Sequence, residues 1–427
     1  MIFGKMRRIG RILLLLCLIG LLAGCLGKGK ISSVIDNALG QAFSQEEDPL
    51  DESGRASSSS EEESGEETSE EENPETVDNA SDVTDTATEE DVPHVSDQCY
   101  AYSMLDAETK QVYDEVYDAI LHFEKDVEVS THSIDVLDVA FTAVRADYGE
   151  LFWFDGYTYT VYTDSSDQVT KMTFSPIYTM TETQKEAYAA AVEEAAAGYL
   201  AFLSEDETDY DKALHLFRLL ITNVSYNIEA QENQNVLSVF LYGETVCRGY
   251  AAAYQYLCTL AGIECCVVEG VAGDETHAWN LVRLDGEYYY VDVTWGNASY
   301  ARDSGEDISD ISFIDYAYFG FTTEEMQRSH EPYGTFTLPV CTATADSYYV
   351  HEGLYVAEWD ADTIGSLLAY GYNNGTSVGI KFASYDLLDL TMAYFIDESH
   401  IVDYCPGITS ASYIREDSMY VLLISFG

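Results

Sequence analysis

The chain has 427 residues, of which 76 are Asp or Glu and 20 are Lys or Arg, so its formal net charge at pH 7 is -56. This acidity argues against nucleic acid and anionic lipid headgroups as partners, because a strongly negative protein repels phosphates. The length is too great for one small core and indicates several modules.

The first 25 residues have the pattern of an export signal. Four basic residues between Lys5 and Arg11 precede an apolar run, Ile12 to Leu22, which is followed by Ala23-Gly24-Cys25. This run is too short to remain as a membrane-spanning helix. The segment resembles a bacterial lipoprotein signal, which implies that Cys25 is lipidated and becomes the new N-terminus. We therefore expect a protein that is extracytoplasmic and lipid-anchored to the bacterial cell membrane; an ordinary signal peptide is the alternative.

Residues 26–97 are expected to form an acidic disordered tether. From Glu46 to Asp97 the sequence is rich in Asp, Glu and Ser, and Arg55 is its single basic residue. Such a segment cannot bury enough apolar surface to offset the entropy lost on ordering, and its charges repel one another. It would hold the folded part away from the bilayer; a role in binding an ion or a partner is the alternative.

Residues 98–204 show mixed periodicity. Ala107 to Phe123 has helical spacing, the stretch "ELFWFDGYTYTVYT" alternates like paired strands, and Thr183 to Phe202 is an alanine-rich helix. We predict an N-terminal α+β segment that packs on the residues that follow.

Residues 336–427 are predicted to be a small β-rich C-terminal module. Short tyrosine-rich and valine-rich stretches are broken by Gly and Asp, with one or two helical turns near Asp360 to Ala369. The nine cysteines are scattered, which does not indicate a disulfide scaffold. A bridge such as Cys341 to Cys405 stays open, but at least one thiol should be free.

The order of elements is clearest in residues 205–335. Leu214 to Thr222 and Val236 to Leu241 have helical patterns, and a third helix begins at Cys247 and is expected to end at Gly262. A cysteine in the first turn of a helix lies against unpaired N–H groups and the positive end of the helix dipole. That placement favours the nucleophilic thiolate.

A hairpin is predicted after this helix, with Asp285-Gly286 as its two-residue turn. Leu284 would then pair with Glu287, and His277 would lie on one face of the hairpin, diagonal to Asp292. A diagonal of about 7 Å between backbones allows an imidazole and a carboxylate to meet. Cys247, His277 and Asp292 are therefore our candidates for nucleophile, base and orienting acid.

The stretches "VCRGYAAAYQYLCTLAGIECCVVEG", "HAWNLVRLDGEYYYVDVTW" and "YFGFTTEEMQRSH" resemble the bacterial transglutaminase-like superfamily, from about Asp209 to His330. The resemblance implies an α+β fold with a papain-like core, in which a Cys-bearing helix packs on an antiparallel sheet bearing His and Asp. It also implies that Cys247 attacks an amide carbonyl to form a thioester, which an amine or water resolves. The oxyanion donors would include the Cys247 N–H and, less directly, Tyr226. Gly296-Asn297 departs from the acidic residues that relatives carry there, which leaves the substrate preference open.

Four further residues are candidates around the cleft. Arg248 and Tyr250 are expected near its mouth, and Trp279 and Trp295 as pocket walls or core. No cofactor and no metal site is expected. A zinc site built from Cys258, Cys265, Cys266 and His277 fails because adjacent cysteines on a strand point to opposite faces. The remaining histidines show no paired ligand spacing: His94, His122, His132, His215, His330, His351 and His400.

Two functions of different classes follow. The leading hypothesis is a surface-anchored thiol enzyme that acts on amide bonds of proteins or wall peptides, by transamidation or hydrolysis. The alternative is a non-catalytic binding module on the cell surface that keeps the fold and retains the three residues as structure.

Overall fold

The computed structural model describes residues 99–297 and 314–427, all within one compact unit, His94–Gly427. The predicted signal peptide, its lipidation site Cys25 and the tether lie outside the described residues. Among the described helices, none combines the length and the apolar character that a membrane crossing requires.

The N-terminal segment contains helices and a three-stranded antiparallel sheet, and the helices predicted from Ala107 and Thr183 are confirmed. Its elements are α1 Tyr100–Ser103, α2 Ala107–Leu121, β1 Val127–Val129, α3 Ile134–Asp147, β2 Phe154–Thr163, β3 Val169–Tyr178 and α4 Glu182–Leu200. The start of α4 is fixed by a capping box in which Thr181 and Gln184 satisfy each other's backbone N–H groups.

The middle of the chain has the predicted order of a nucleophile helix followed by a sheet. Its elements are α5 Asp209–Asn223, β4 Ser225–Tyr226, a π-helical turn Ser238–Tyr242, β5 Glu244–Thr245, α6 Cys247–Leu260, β6 Cys265–Ala272, β7 Glu275–Leu284, β8 Glu287–Val291, β9 Phe319–Phe321, α7 Thr323–Met326 and β10 His330–Pro332. Gly262 follows α6 with a φ of 83°, the left-handed conformation that ends a helix.

Five antiparallel strands form the central sheet, in the order β10-β6-β7-β8-β9. One face packs with α5, α6 and the N-terminal segment in a single apolar core, and the other face carries a second core around Trp279 and Tyr290. Cys265 belongs to the first core and Cys266 to the second. The expectation that these adjacent cysteines face opposite sides of the sheet is thus confirmed.

The C-terminal module has its own apolar core and is more helical than the sequence suggested. Its elements are α8 Tyr348–His351, β11 Tyr355–Val356, α9 Ala361–Asn374, β12 Val378–Phe382, α10 Tyr385–Thr391, a π-helical turn Met392–Asp397, α11 Ile401–Tyr404, β13 Ala411–Glu416 and β14 Val421–Phe426. Helix α9 is longer than the predicted turn or two because Asp360 caps its start. Helix α10 was not predicted, although Ser384 caps it and Leu387 and Leu388 pack inward. Cys341 and Cys405, offered above as a bridge, are both free thiols.

The first turn of α6 packs so closely on β5 that residue 249 has no room for a side chain. A Cβ on Gly249 would overlap Thr245 Oγ1 and would lie 3.0 Å from Asn233 O. Thr245 Oγ1 is itself hydrogen-bonded to Ser238 Oγ at 2.6 Å and donates to Asn233 O at 3.1 Å. Gly249 therefore decides how closely the helix start that carries Cys247 approaches this loop.

Replacing this glycine tests that packing. Gly249→Ala should lower the free energy of unfolding by about 1–3 kcal/mol, because an added methyl group must displace packed neighbours. Gly198→Ala in α4 is the matched control, since nothing lies within 4 Å of a Cβ there. The control should gain roughly 0.5–1 kcal/mol from helix propensity alone. Urea unfolding followed by circular dichroism measures both, and a stabilised Gly249→Ala variant would contradict the close packing.

Candidate active site

Cys247 is the first residue of α6, and the residue before it cannot cap the helix with its side chain. Val246 occupies the N-cap position and offers no acceptor, so the first-turn N–H groups favour a negative charge beside them. Cys247 is partly exposed, whereas the other cysteines in the described ranges are buried. Burial raises the pKa of the Cys341 thiol to about 11. Among the described thiols, position and exposure therefore distinguish Cys247.

The hairpin that brings the base to the acid has the predicted two-residue turn. Leu284 pairs with Glu287 across Asp285-Gly286, and the ladder continues to the pair of Asn280 and Val291. Asp292 follows directly after β8, and its N–H donates to Tyr318 O at 2.9 Å. The predicted contact is confirmed, since His277 Nε2 lies 2.8 Å from Asp292 Oδ2.

Asp292 is a fully buried carboxylate whose two oxygens accept four hydrogen bonds. Oδ1 accepts from the backbone N–H groups of Thr294 and Trp295, at 2.9 and 3.1 Å. Oδ2 lies 2.8 Å from His277 Nε2 and 3.1 Å from His330 Nε2. Burial alone would raise the pKa of Asp292, but the two histidines outweigh it and hold the pKa well below its ordinary value. The group is therefore a carboxylate.

His277 links this carboxylate to the thiol. Burial by itself lowers the pKa of His277, but the charge of Asp292 and the hydrogen bonds with Asp292 and Cys247 raise it to about 10. At neutral pH the ring is consequently an imidazolium, which stabilises a neighbouring thiolate. With Nε2 directed at Asp292, Nδ1 is the nitrogen left for Cys247. The structure thus brings together the three residues that the sequence nominated.

His330 is the residue of this cluster that the sequence analysis missed. It lies at the start of β10, opposite Ala272 of β6, and is fully enclosed. Its Nδ1 lies 2.8 Å from Ser329 Oγ. Its Nε2–H donates to Asp292 Oδ2, because a carboxylate can only accept. The stretch "YFGFTTEEMQRSH" is part of the resemblance, but only the pairing of β10 with β6 shows that its histidine reaches Asp292.

Two tryptophans enclose the histidines. The centroid of Trp279 is 6.1 Å from that of His277 and 4.9 Å from that of His330, and the corresponding distances for Trp295 are 5.8 and 4.7 Å. Trp279 has no exposed surface, whereas Trp295 is partly exposed. Trp279 is therefore core, and Trp295 is the one of the two that can line a cleft.

The remaining candidates occupy different places. Tyr226 of β4 pairs with Thr245 of β5. Thr245 lies two residues before Cys247 in the sequence. Tyr250, expected near the cleft mouth, is instead fully buried, and its hydroxyl donates to Val224 O at 2.7 Å. It lies one turn into α6, on the side that packs on α5, which leaves it no surface for a substrate. Arg248 is buried beside Cys247 and forms an ion pair with Glu269 at 3.2 Å.

Gly296-Asn297 has a structural explanation. Asn297 Nδ2 donates to Tyr250 Oη at 2.7 Å and to Val224 O at 3.2 Å, and a Cβ on Gly296 would overlap the ring of Phe217. The pair therefore fastens the loop after Asp292 to α5 and α6. The amide of Asn297 forms these hydrogen bonds, and the absence of a side chain at Gly296 leaves room for Phe217.

His277, Asp292 and His330 also have ligand atoms within 4.8 Å of one another, close enough to hold a metal ion. Spacing along the sequence does not predict this group of His277, Asp292 and His330. Here the two ring nitrogens point at the same carboxylate oxygen through hydrogen bonds, and a metal ion would replace both bonds. Metal binding would then compete with the contact between His277 and Asp292.

A known family matches the middle of the chain. The model of the transglutaminase-like superfamily matches residues 199–293. This chain contains a transglutaminase-like domain. The matched range includes Cys247, His277 and Asp292, whereas His330 lies beyond it.

Individual relatives of the transglutaminase-like domain are distant. Human kyphoscoliosis peptidase is 29% identical over 112 residues, which cover 22% of this chain and 17% of the relative. The mouse protein of that name is 27% identical over 112 residues, with the same coverage of both chains. A TGase crystal structure is 13% identical with a TM-score of 0.24, covering 36% of this chain and 51% of that chain. The periplasmic domain of TgpA from Pseudomonas aeruginosa is 14% identical with a TM-score of 0.21, covering 34% and 66%.

The contribution of His330 can be measured as stability. His330→Phe keeps an aromatic ring in the enclosure but removes one donor from Asp292, and should cost about 2 kcal/mol, because a hydrogen bond to a buried charge is lost. His132→Phe is the matched control at an exposed histidine and should stay within roughly 0.5 kcal/mol. The two single variants His330→Phe and Asp292→Asn and the double variant form a double-mutant cycle when the free energy of unfolding of each is measured. A coupling energy near zero between the two positions would contradict the interaction.

Proposed function

We propose that the protein is a thiol enzyme that acts on amide bonds of proteins or peptides through a thioester on Cys247. The observation that carries the proposal is the contact of His277 with Asp292 at 2.8 Å, next to Cys247 at a helix start that favours the thiolate and close enough to raise the pKa of His277. The other cysteines in the described ranges are buried, which leaves Cys247 as the exposed thiol among them.

The chemistry begins with the Cys247 thiolate and the His277 imidazolium. The sulfur attacks the amide carbonyl carbon, and the carbonyl oxygen becomes an oxyanion that the Cys247 N–H can stabilise. His277 gives its proton to the leaving nitrogen as the carbon–nitrogen bond breaks, which leaves a thioester. An amine or water then attacks the thioester, His277 takes the proton back, and the carbon–sulfur bond breaks to regenerate the thiolate.

Asp292 keeps His277 in the orientation and tautomer that this cycle needs. Its carboxylate faces the Nε2–H and stabilises the charged ring, while Nδ1 exchanges the proton with sulfur and substrate. The curated relatives are called peptidases, which supports hydrolysis of peptide bonds as one outcome. Transamidation is the other outcome, and it depends on whether an amine reaches the thioester before water.

Removal of the nucleophile tests the activity. Cys247→Ala in the full chain should reduce amine incorporation, ammonia release and peptide cleavage to the uncatalysed level, because no thioester can form. Asp292→Asn should lower kcat by about 10²–10⁴-fold, as expected when the base loses its orientation. Cys405→Ala, which changes a buried thiol of the C-terminal module, is the control. Activity of Cys247→Ala equal to that of the parent on a broad panel of glutamine and wall peptides would rule out this function.

We also propose that the enzyme is anchored by lipid at Cys25 to the outer face of a bacterial cell membrane. The support comes from the sequence, in which the basic start, the apolar run and Leu22-Ala23-Gly24-Cys25 follow in the order of a lipoprotein signal. The acidic tether would then place the active site away from the anionic membrane surface.

Metabolic labelling with a clickable fatty acid in a bacterial host tests the anchor. The parent chain should carry the label and sediment with membranes, and Cys25→Ala should lose both properties. Cys17→Ala, a change within the apolar run, should leave the label unchanged. Equal labelling of Cys25→Ala and the parent would disprove anchoring at this residue.

A further inference from the structure

A pocket opens at Arg248, the residue after Cys247, between α3, β6 and the segment after β10. It is small and open to solvent, and its walls come from three parts of the chain. Thr142 on α3 forms one wall, Val268 and Glu269 of β6 form another, and Phe336 after β10 forms a third. The lining is largely apolar, and Arg248 brings a positive charge into it.

Arg248 is a buried cation whose hydrogen-bonding capacity is only partly used. Its side chain is 10% exposed, its Nη2 donates to Arg145 O at 3.1 Å, and its Nε lies 3.2 Å from Glu269 Oε1. Nη1 is buried and has no acceptor among the described residues. A buried donor without an acceptor is unfavourable, so the site is suited to a ligand that supplies one.

The charges around the pocket also favour an anion. Burial lowers the pKa of Arg248 to about 10, with a further contribution from Arg145, and the guanidinium remains charged at neutral pH. Glu269 is the opposing charge, but a third of its side chain is exposed, so water weakens its hold on the guanidinium. Arg248 and Arg145 are opposed by the partly screened carboxylate of Glu269 and by Cys247. Because the Cys247 thiolate is paired with the His277 imidazolium, the site keeps a local positive charge in a chain whose net charge is -56.

We infer that this pocket is a subsite for a carboxylate group of the substrate, which Arg248 Nη1 binds while the apolar walls hold the adjoining carbon atoms. The inference deepens the proposed function and rests on it, because Arg248 directly follows Cys247 in the first turn of α6. It narrows the substrate class to amides that carry a free carboxylate near the reacting bond, such as peptides with a terminal or side-chain carboxyl group. Arginine is suited to this task because its planar guanidinium matches a carboxylate.

Matched alkylating reagents can test the subsite without a known substrate. N-bromoacetyl glycine, β-alanine and γ-aminobutyrate each carry a carboxylate at a different distance, and their carboxamides are neutral counterparts. Alkylation of Cys247 in the full chain is followed by mass spectrometry of the peptide that contains it. The quantity measured is the ratio of the carboxylate rate to the carboxamide rate, relative to the same ratio for a small model thiol.

The ratio should exceed that of the model thiol by about tenfold for at least one reagent length, the size expected of one charge-assisted hydrogen bond. The acidity of the chain as a whole acts in the opposite direction, since it repels an anionic reagent. Arg248→Gln should return the ratio to the model value or below it, and Glu269→Gln should increase the ratio by removing the competing carboxylate.

A second variant guards against misfolding of Arg248→Gln. Thr142→Glu keeps Arg248 and adds a carboxylate to the pocket wall, so it should also abolish the preference. The inference is overturned if the parent ratio stays at the model value for every length, or if it is unchanged in both variants. Slow reaction with both reagents and a preserved ratio would count against the activated thiol of the proposed function and not against the subsite.

Discussion

The buried carboxylate of Asp292 is the constraint on which the candidate active site depends. A charge with no exposed surface is stable only when its oxygens are hydrogen-bonded, and here four donors come from the loop after β8, from β7 and from β10. Losing any one of these elements would leave a buried charge short of a partner. The carboxylate therefore holds the hairpin, the following loop and the edge strand in one arrangement, and that arrangement orients His277.

Cys247 is positioned separately, by the start of α6. Gly249 allows the first turn to approach Thr245, while Asn297 and Tyr250 connect the same helix to the loop that carries Asp292. The thiol and its base thus come from two elements that are joined by buried hydrogen bonds. Such joints are rigid because each buried polar group would be costly to leave unpaired.

The N-terminal segment contributes to the site as well as to the core. It shares one apolar core with the transglutaminase-like domain, and α3 supplies both the carbonyl of Arg145 that accepts from Arg248 and a wall of the neighbouring pocket. The net charge of the chain suggests that it repels anions everywhere, but the buried arginine beside the thiol is a local exception. Net charge describes the surface as a whole, whereas recognition depends on the few charges that a pocket removes from water.

The sequence by itself determined the elements with strong local signals. Periodicity and the stop at Gly262 placed Cys247 at a helix start. Asp285-Gly286 set the register that brings His277 toward Asp292, because a two-residue turn leaves no freedom in the pairing. Only the tertiary structure determined which residues distant in the sequence lie around His277 and Asp292. His330 reaches Asp292 because β10 pairs with β6, Tyr250 turns into the core, and Arg248 faces a pocket that three separate segments build. No local pattern encodes such contacts, since they depend on how apolar faces pack and on which buried polar groups are left to be paired.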